Sequence, residues 1–156
     1  MNEAKEFLKQ YEEADRIVRR LKTEYQEQLE QIDSIRSPIG DGTPHSGQIS
    51  KTVEIQAIRL AEKANEMKLA EAEAVRIRQR VVNVINTIPG EKSDVLYERY
   101  INLKKWDEVA LSVNYSLRQV HNLHRDGLEF VSLFLISIAN YPRLIMSKSL
   151  SRSAFP

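Results

Sequence analysis

The chain has 156 residues, of which 42% are hydrophobic and 29% are charged, a balance that excludes a disordered polypeptide and favours a soluble, helix-rich protein. It contains no cysteine, which excludes a disulfide framework and a thiolate metal site and favours a reducing cytoplasm. The formal net charge of +1 provides no overall attraction to nucleic acid. The first ten residues, MNEAKEFLKQ, lack the apolar core of a signal peptide.

The first predicted element is one long helix of about 34 residues, roughly 50 Å in length. Its hydrophobic residues follow alternating three- and four-residue steps, broken only by Gln28, as in a coiled-coil seam. The seam consists of Ala4, Phe7, Tyr11, Ala14, Val18, Leu21, Tyr25, Ile32 and Ile35.

A loop follows at Ser37 to Gly47, because its prolines and glycines cannot continue a helix. A second long helix is predicted from about Lys51 to Ile88, and the two helices predict an antiparallel hairpin over residues 1–88 with its loop at 36–50. A lone hairpin leaves much of each seam exposed, so we expect two hairpins to pair into a four-helix bundle, which makes the protein a homodimer. A monomeric hairpin and a hetero-assembly are the alternatives.

Residues 89–130 predict three shorter helices, at about 92–104, 106–113 and 116–130. The middle helix carries Trp106, Val109, Ala110 and Val113 at three- and four-residue spacing. Asn114 falls where this helix must end, and asparagine tolerates the left-handed conformation that such a turn needs.

The last of these helices begins with a capping box, in which Ser116 and Gln119 satisfy each other's amides. Tyr115 and Val120 occupy the positions of a hydrophobic staple. The inward stripe then consists of Val120, Leu123 and Leu128, whereas Arg118, His121, Asn122 and Arg125 share the opposite face. Arginine and asparagine are the side chains that pair with guanine and adenine edges in the major groove. The alternative is a solvated or protein-binding helix face.

Residues 88 to 128 resemble the region 4 helix-turn-helix of sigma-70-type factors. They resemble more closely the small regulators of late genes and autolysins that phages of Gram-positive bacteria encode, in which a helical hairpin precedes this module. The resemblance rests on the lead-in Ile88-Pro89, the LYERYINLKKW helix, the W-x-E-V-A start and Y-S-x-R-Q-V-x-x-L-H-x-x-x-L, and with the Ser-Pro-x-Gly-Asp loop it covers residues 4 to 128.

The resemblance implies an all-α fold, promoter DNA and host RNA polymerase as partners, and a set of residues that approach the DNA. These are Ser116, Leu117, Arg118, Gln119, His121, Asn122 and Arg125. Lys105, Leu117 and Gly127 depart from the family pattern, since a capping Thr or Ser, a polar or basic residue and an Ala are usual at these positions. A glycine inside a helix costs up to ~1 kcal/mol relative to alanine.

The segment from Glu91 to Glu129 is almost neutral, with six Lys or Arg residues against seven Asp or Glu residues. Affinity for phosphates depends on cations, so one such module is expected to bind DNA weakly and to need a second copy or polymerase. Rival interpretations are a small terminase-like packaging or structural coiled-coil protein and a protein-binding adaptor without affinity for DNA.

Catalysis is not expected, because the chain carries no Gly-rich phosphate loop and no nucleophile elbow. No cofactor or metal is expected either: His121 and His124 are three residues apart on a helix, but the remaining histidine, His45, lies in the distant loop.

Residues 131–156 form an atypical tail. The apolar run that leads into it, Phe130 to Ala139, is too short to span a bilayer. This apolar run is expected to extend the preceding helix, and residues beyond Tyr141-Pro142 are expected to be disordered. A contact of the run with a membrane surface is the weaker alternative.

Overall fold

The computed structural model describes residues 2–36 and 48–150, and these residues form five α-helices and no strand. The helices are α1 (Asn2–Arg36), α2 (Gln48–Ile85), α3 (Glu91–Tyr100), α4 (Trp106–Val113) and α5 (Leu117–Leu150). The predicted all-α class is therefore confirmed for this part of the chain. The predicted loop Ser37 to Gly47 lies outside the described residues, as do residues 151–156. No helix of the described ranges is both long enough and apolar enough to cross a membrane.

The chain divides into two compact units, of which one spans Glu13–Ile77. In this unit α1 and α2 pack through Ala14, Val18 and Ala74, all buried, with Ala70 and Ile77 against them. Two ion pairs join the same helices, from Lys22 Nζ to Glu71 Oε1 at 2.8 Å and from Lys63 Nζ to Glu24 Oε2 at 2.9 Å. As the residue numbers of the ion-pair partners increase along α1, those of their partners on α2 decrease, so the two helices run antiparallel within this unit.

The other unit comprises Met1–Glu12 and Arg78–Pro156, and thus contains the ends of both long helices together with α3, α4 and α5. Its centre is a cluster of three fully buried valines, Val95 of α3, Val109 of α4 and Val120 of α5. Partly buried side chains pack against this cluster: Trp106, Ala110, Val113, Tyr115 and Leu123. The start of α1 contributes Ala4 and Leu8, and the end of α2 contributes Val81 and Ile85, all almost completely buried.

The two helices that precede α4 in the chain, α2 and α3, end earlier than predicted. α2 ends at Ile85 instead of Ile88, in a turn where the amide of Ile88 donates to the carbonyl of Ile85 at 3.0 Å. α3 ends at Tyr100, four residues before the predicted end, because Leu103 adopts a left-handed conformation with φ of 54°. The amides of Asn102 and Lys104 then donate to the carbonyls of Tyr97 and Glu98.

α5 continues through residue 150, beyond both the predicted helix 116–130 and its expected extension over Phe130 to Ala139. The apolar run Phe130 to Ala139 contains neither glycine nor proline, and Val131 within it is fully buried, so packing extends the helix as expected. α5 passes through Tyr141 and Pro142 and ends at Leu150, and disorder of the tail stays a prediction from the sequence.

Candidate nucleic-acid interface

α4 and α5 are joined by a three-residue connection, Asn114 to Ser116, whose geometry the sequence predicts. Asn114 has φ of 57° and ψ of 41°, the left-handed conformation, and its amide still donates to the carbonyl of Ala110. The amide of Tyr115 donates to the same carbonyl at 3.1 Å. The chain thereby turns sharply after α4 without leaving these two amides unsatisfied.

The start of α4 lacks a capping hydroxyl, because residue 105 is a lysine. Lys105 is extended, with φ of −70° and ψ of 160°, and its amide donates to Glu108 Oε2 at 2.8 Å. This bond is the carboxylate half of a capping box. Glu108 therefore satisfies the amide of Lys105, which is a different bond from the one that a threonine or serine hydroxyl at position 105 would accept.

The start of α5 has the predicted capping box in full. The amide of Ser116 donates to Gln119 Oε1 at 3.0 Å, and the amide of Gln119 donates to Ser116 Oγ at 3.4 Å. The Ser116 hydroxyl also donates to Gln119 Oε1 at 2.7 Å, and its carbonyl accepts the first helical bond from Val120. These bonds fix the axis of α5 relative to the turn.

The turn is also tied to α3. The Tyr115 hydroxyl donates to Glu91 Oε1 at 3.2 Å, and this bond raises the pKa of Tyr115. The ring of Tyr115 packs against the cluster that contains Val120, as the predicted staple requires. The connection between α4 and α5 is therefore held from two sides, by its own caps and by α3.

The first three turns of α5 present an exposed surface, which we call the reading face. All seven residues predicted to approach DNA are exposed: Ser116, Leu117, Arg118, Gln119, His121, Asn122 and Arg125. On the opposite side Val120 is fully buried and Leu123 partly buried. The face is free of contacts that would prevent a ligand from approaching, because none of its members is covered by the chain that the structure describes.

Two histidines at the edge of the reading face have different environments. His121 is exposed, and its ring lies 4.7 Å from the ring of Trp106 between centroids. His124 is half-buried between Trp106, at 4.8 Å, and Tyr100, whose hydroxyl lies 3.0 Å from His124 Nε2. Burial raises the pKa of Tyr100 to about 12, so this hydroxyl keeps its proton in its hydrogen bond with the imidazole.

Stability is expected to depend on pH through His124. Burial, with smaller effects of Lys5, His121 and Arg99, lowers its pKa from 6.5 to about 4. Between these values the unfolded chain binds more protons than the folded one, so the free energy of unfolding falls as the pH falls from 6.5 to 4. Solvent access to the ring reduces the effect to ~2 kcal/mol.

Urea unfolding at pH 7 and at pH 4.5 measures this loss. His124→Phe, which keeps an aromatic ring but cannot titrate, should lose markedly less stability than wild type over the same interval, whereas His121→Gln should behave as wild type. Equal losses in wild type and His124→Phe would contradict the assignment.

The cations near the reading face are few. Lys104 Nζ is committed to Glu98 Oε2 at 2.7 Å, and Arg99 lies over the Trp106 ring and donates to the carbonyl of Lys104. Arg125 is loosely paired with its neighbour Asp126 at 3.5 Å. Arg118 is exposed and, unlike Arg125, forms no ion pair with any described residue.

Sequence reasoning missed an apolar feature beside this face. Leu111 on α4 is 83% exposed, and with Leu117, 43% exposed, it lines a shallow open depression beside the turn. The other lining residues are Asp107, Ala110, Asn114, Tyr115 and Ser116. The signal was present in the sequence, since Leu111 falls outside the three- and four-residue spacing of the buried residues of α4.

In comparisons with known proteins, no family model, no curated protein and no solved structure matches this chain. The interpretation of the site therefore depends on its own geometry and chemistry.

Proposed function

We propose that this chain is a sequence-specific DNA-binding transcriptional regulator, in which α3, α4 and α5 form a helix-turn-helix module similar to sigma region 4. The observation that carries the proposal is the reading face. Its Arg118, Asn122 and Arg125 are exposed on one side of a helix whose opposite side is buried, directly after a tightly capped turn. Such a helix can enter the major groove and contact base edges with its exposed side chains.

The proposal includes a phage origin and action with host RNA polymerase at promoters, in the nucleoid of the bacterial cytoplasm. The near neutrality of the module supports a need for such help, since few phosphates can be neutralised by Arg118, Arg125 and Lys105 alone. Assembly as a homodimer through the two long helices would place two modules on one complex and raise their effective concentration on DNA.

Selection of a preferred site from random duplex DNA, followed by fluorescence anisotropy of that site, tests the function. We expect a preferred sequence, and a salt dependence with a slope of about 3 in log Kd against log salt for each module. Absence of sequence preference at low salt would refute the proposal. A closed ring of many subunits in solution would instead favour the terminase-like packaging protein.

A further inference from the structure

α2 carries four large hydrophobic side chains that the rest of its unit leaves exposed. Ile55 is 52% exposed, Ile58 54%, Leu69 73% and Val75 68%. All lie within the unit Glu13–Ile77, where α1 covers only the side of α2 that holds Ala74. Isolated exposed aliphatic residues are ordinary on protein surfaces, so the arrangement of these residues decides whether they form an interface.

Three of the four belong to a regular row, which we call the outer seam. Its members alternate four- and three-residue steps along α2, and every one of them is exposed: Ile55, Ile58, Glu62, Asn65, Leu69, Ala72 and Arg76. Alternation of three and four residues is the repeat by which two helices pack as a coiled coil. α2 therefore has a second seam, on a different side from the one that faces α1.

The charges beside the outer seam match a second copy of the same helix. Glu54 and Lys68 lie on one flank, and Arg59 and Glu73 lie five residues later on the other flank. In a parallel two-stranded coiled coil the residues that meet across the seam have this spacing, so Glu54 meets Arg59 and Lys68 meets Glu73 of the other copy. An antiparallel arrangement that aligns Arg59 with Glu73 would instead bring the two copies of Glu66 together.

Three of these four charges form no ion pair with any residue in the described ranges 2–36 and 48–150. Among the described residues, the ion pairs of α2 involve Lys63, Glu66, Glu71, Glu73 and Arg76. Glu54, Arg59 and Lys68 take part in none of them. They remain available to a second molecule without disrupting the contacts between α1 and α2.

We propose that the outer seam of α2 is the surface on which a second copy of this chain binds, in parallel orientation. This inference specifies the dimer included in the proposed function, but it does not require DNA binding. Glu62, Asn65 and Arg76 interrupt the apolar seam, and in the parallel orientation each meets its own copy. This weakens the dimer and favours one register, since a polar seam residue favours one alignment at a cost in stability. The dimer therefore dissociates on dilution.

A charge exchange tests the pairing in the full chain without DNA. Lys68→Glu places carboxylates opposite each other twice in the dimer and should raise its dissociation constant about tenfold in analytical ultracentrifugation. Combining Lys68→Glu with Glu73→Lys restores opposite charges and should restore most of the affinity. Lys9→Glu, the same change on exposed α1, is the control. A monomer at every concentration, or a dimer unaffected by Lys68→Glu, overturns the proposal.

Cysteine substitution tests the orientation, and the natural absence of cysteine makes the experiment clean. In a parallel dimer Ile58→Cys, Asn65→Cys and Ala72→Cys each place two identical thiols close together, so each variant should form a linked dimer under mild oxidation. Linking should be at least about tenfold faster than for Leu133→Cys, which lies exposed on α5. Linking at a single position overturns the parallel arrangement, and linking at none overturns the interface. Loss of DNA binding leaves these results unchanged, so the two proposals fail separately.

Discussion

Replacing Arg118 or Asn122 by alanine is expected to weaken binding to the preferred DNA site by about 5- to 150-fold, equivalent to ~1–3 kcal/mol, if each side chain makes a bidentate contact with a base. Both side chains are exposed on the reading face, and neither contributes to the cluster that holds α3, α4 and α5 together. The variants should therefore fold as wild type, and the loss should be confined to binding.

Anisotropy titrations on the preferred site and on its single-base variants distinguish the two kinds of contact. A base contact relaxes the preference at one position, whereas a phosphate contact weakens binding to every sequence and lowers the salt slope by about 1. Arg20→Ala on α1 and Asn86→Ala in the turn after α2 make the same chemical changes on exposed surfaces elsewhere and should bind as wild type. Wild-type affinity in both Arg118→Ala and Asn122→Ala would refute the assignment of this face.

The turn between α4 and α5 was the most predictable part of the molecule because its chemistry is local. The left-handed Asn114 and the bonds between Ser116 and Gln119 involve residues within one helical turn of each other, so residue type and spacing specify them. The inward stripe was predictable for the same reason, since helical periodicity alone separates Val120 from Arg118.

Features that depend on distant parts of the chain were not predictable from spacing. The early end of α3 requires Leu103 in a left-handed conformation, which leucine rarely adopts, and no local sequence signal announces it. The bond between Tyr100 and His124 joins α3 to α5, and only the packed structure shows that burial keeps this imidazole neutral. The length of α5 likewise depends on contacts such as that of the buried Val131.

Replacing Gly127 by valine is expected to lower the free energy of unfolding by ~1–3 kcal/mol. The reason for this glycine follows partly from the sequence and partly from the structure. The sequence shows a glycine inside a helix, which costs stability relative to alanine. The structure supplies the reason: a Cβ at this position would lie 3.0 Å from Leu96 Cδ1 and 3.2 Å from Leu96 Cγ. Leu96 is itself completely buried, so it has little room to move.

Alanine and valine at position 127 should therefore differ. Gly127→Ala gains helix propensity and displaces Leu96 slightly, so the two effects roughly cancel, whereas the additional methyl groups of Gly127→Val have no space between α3 and α5. Urea unfolding measures both variants, and Ala139→Val on the exposed surface of α5 measures the cost of a β-branched residue alone. Leu96→Ala should relieve the clash, so the double variant should be less destabilised than the two single changes predict. Additive losses, or wild-type stability of Gly127→Val, would show that the close approach of Leu96 is not what position 127 accommodates.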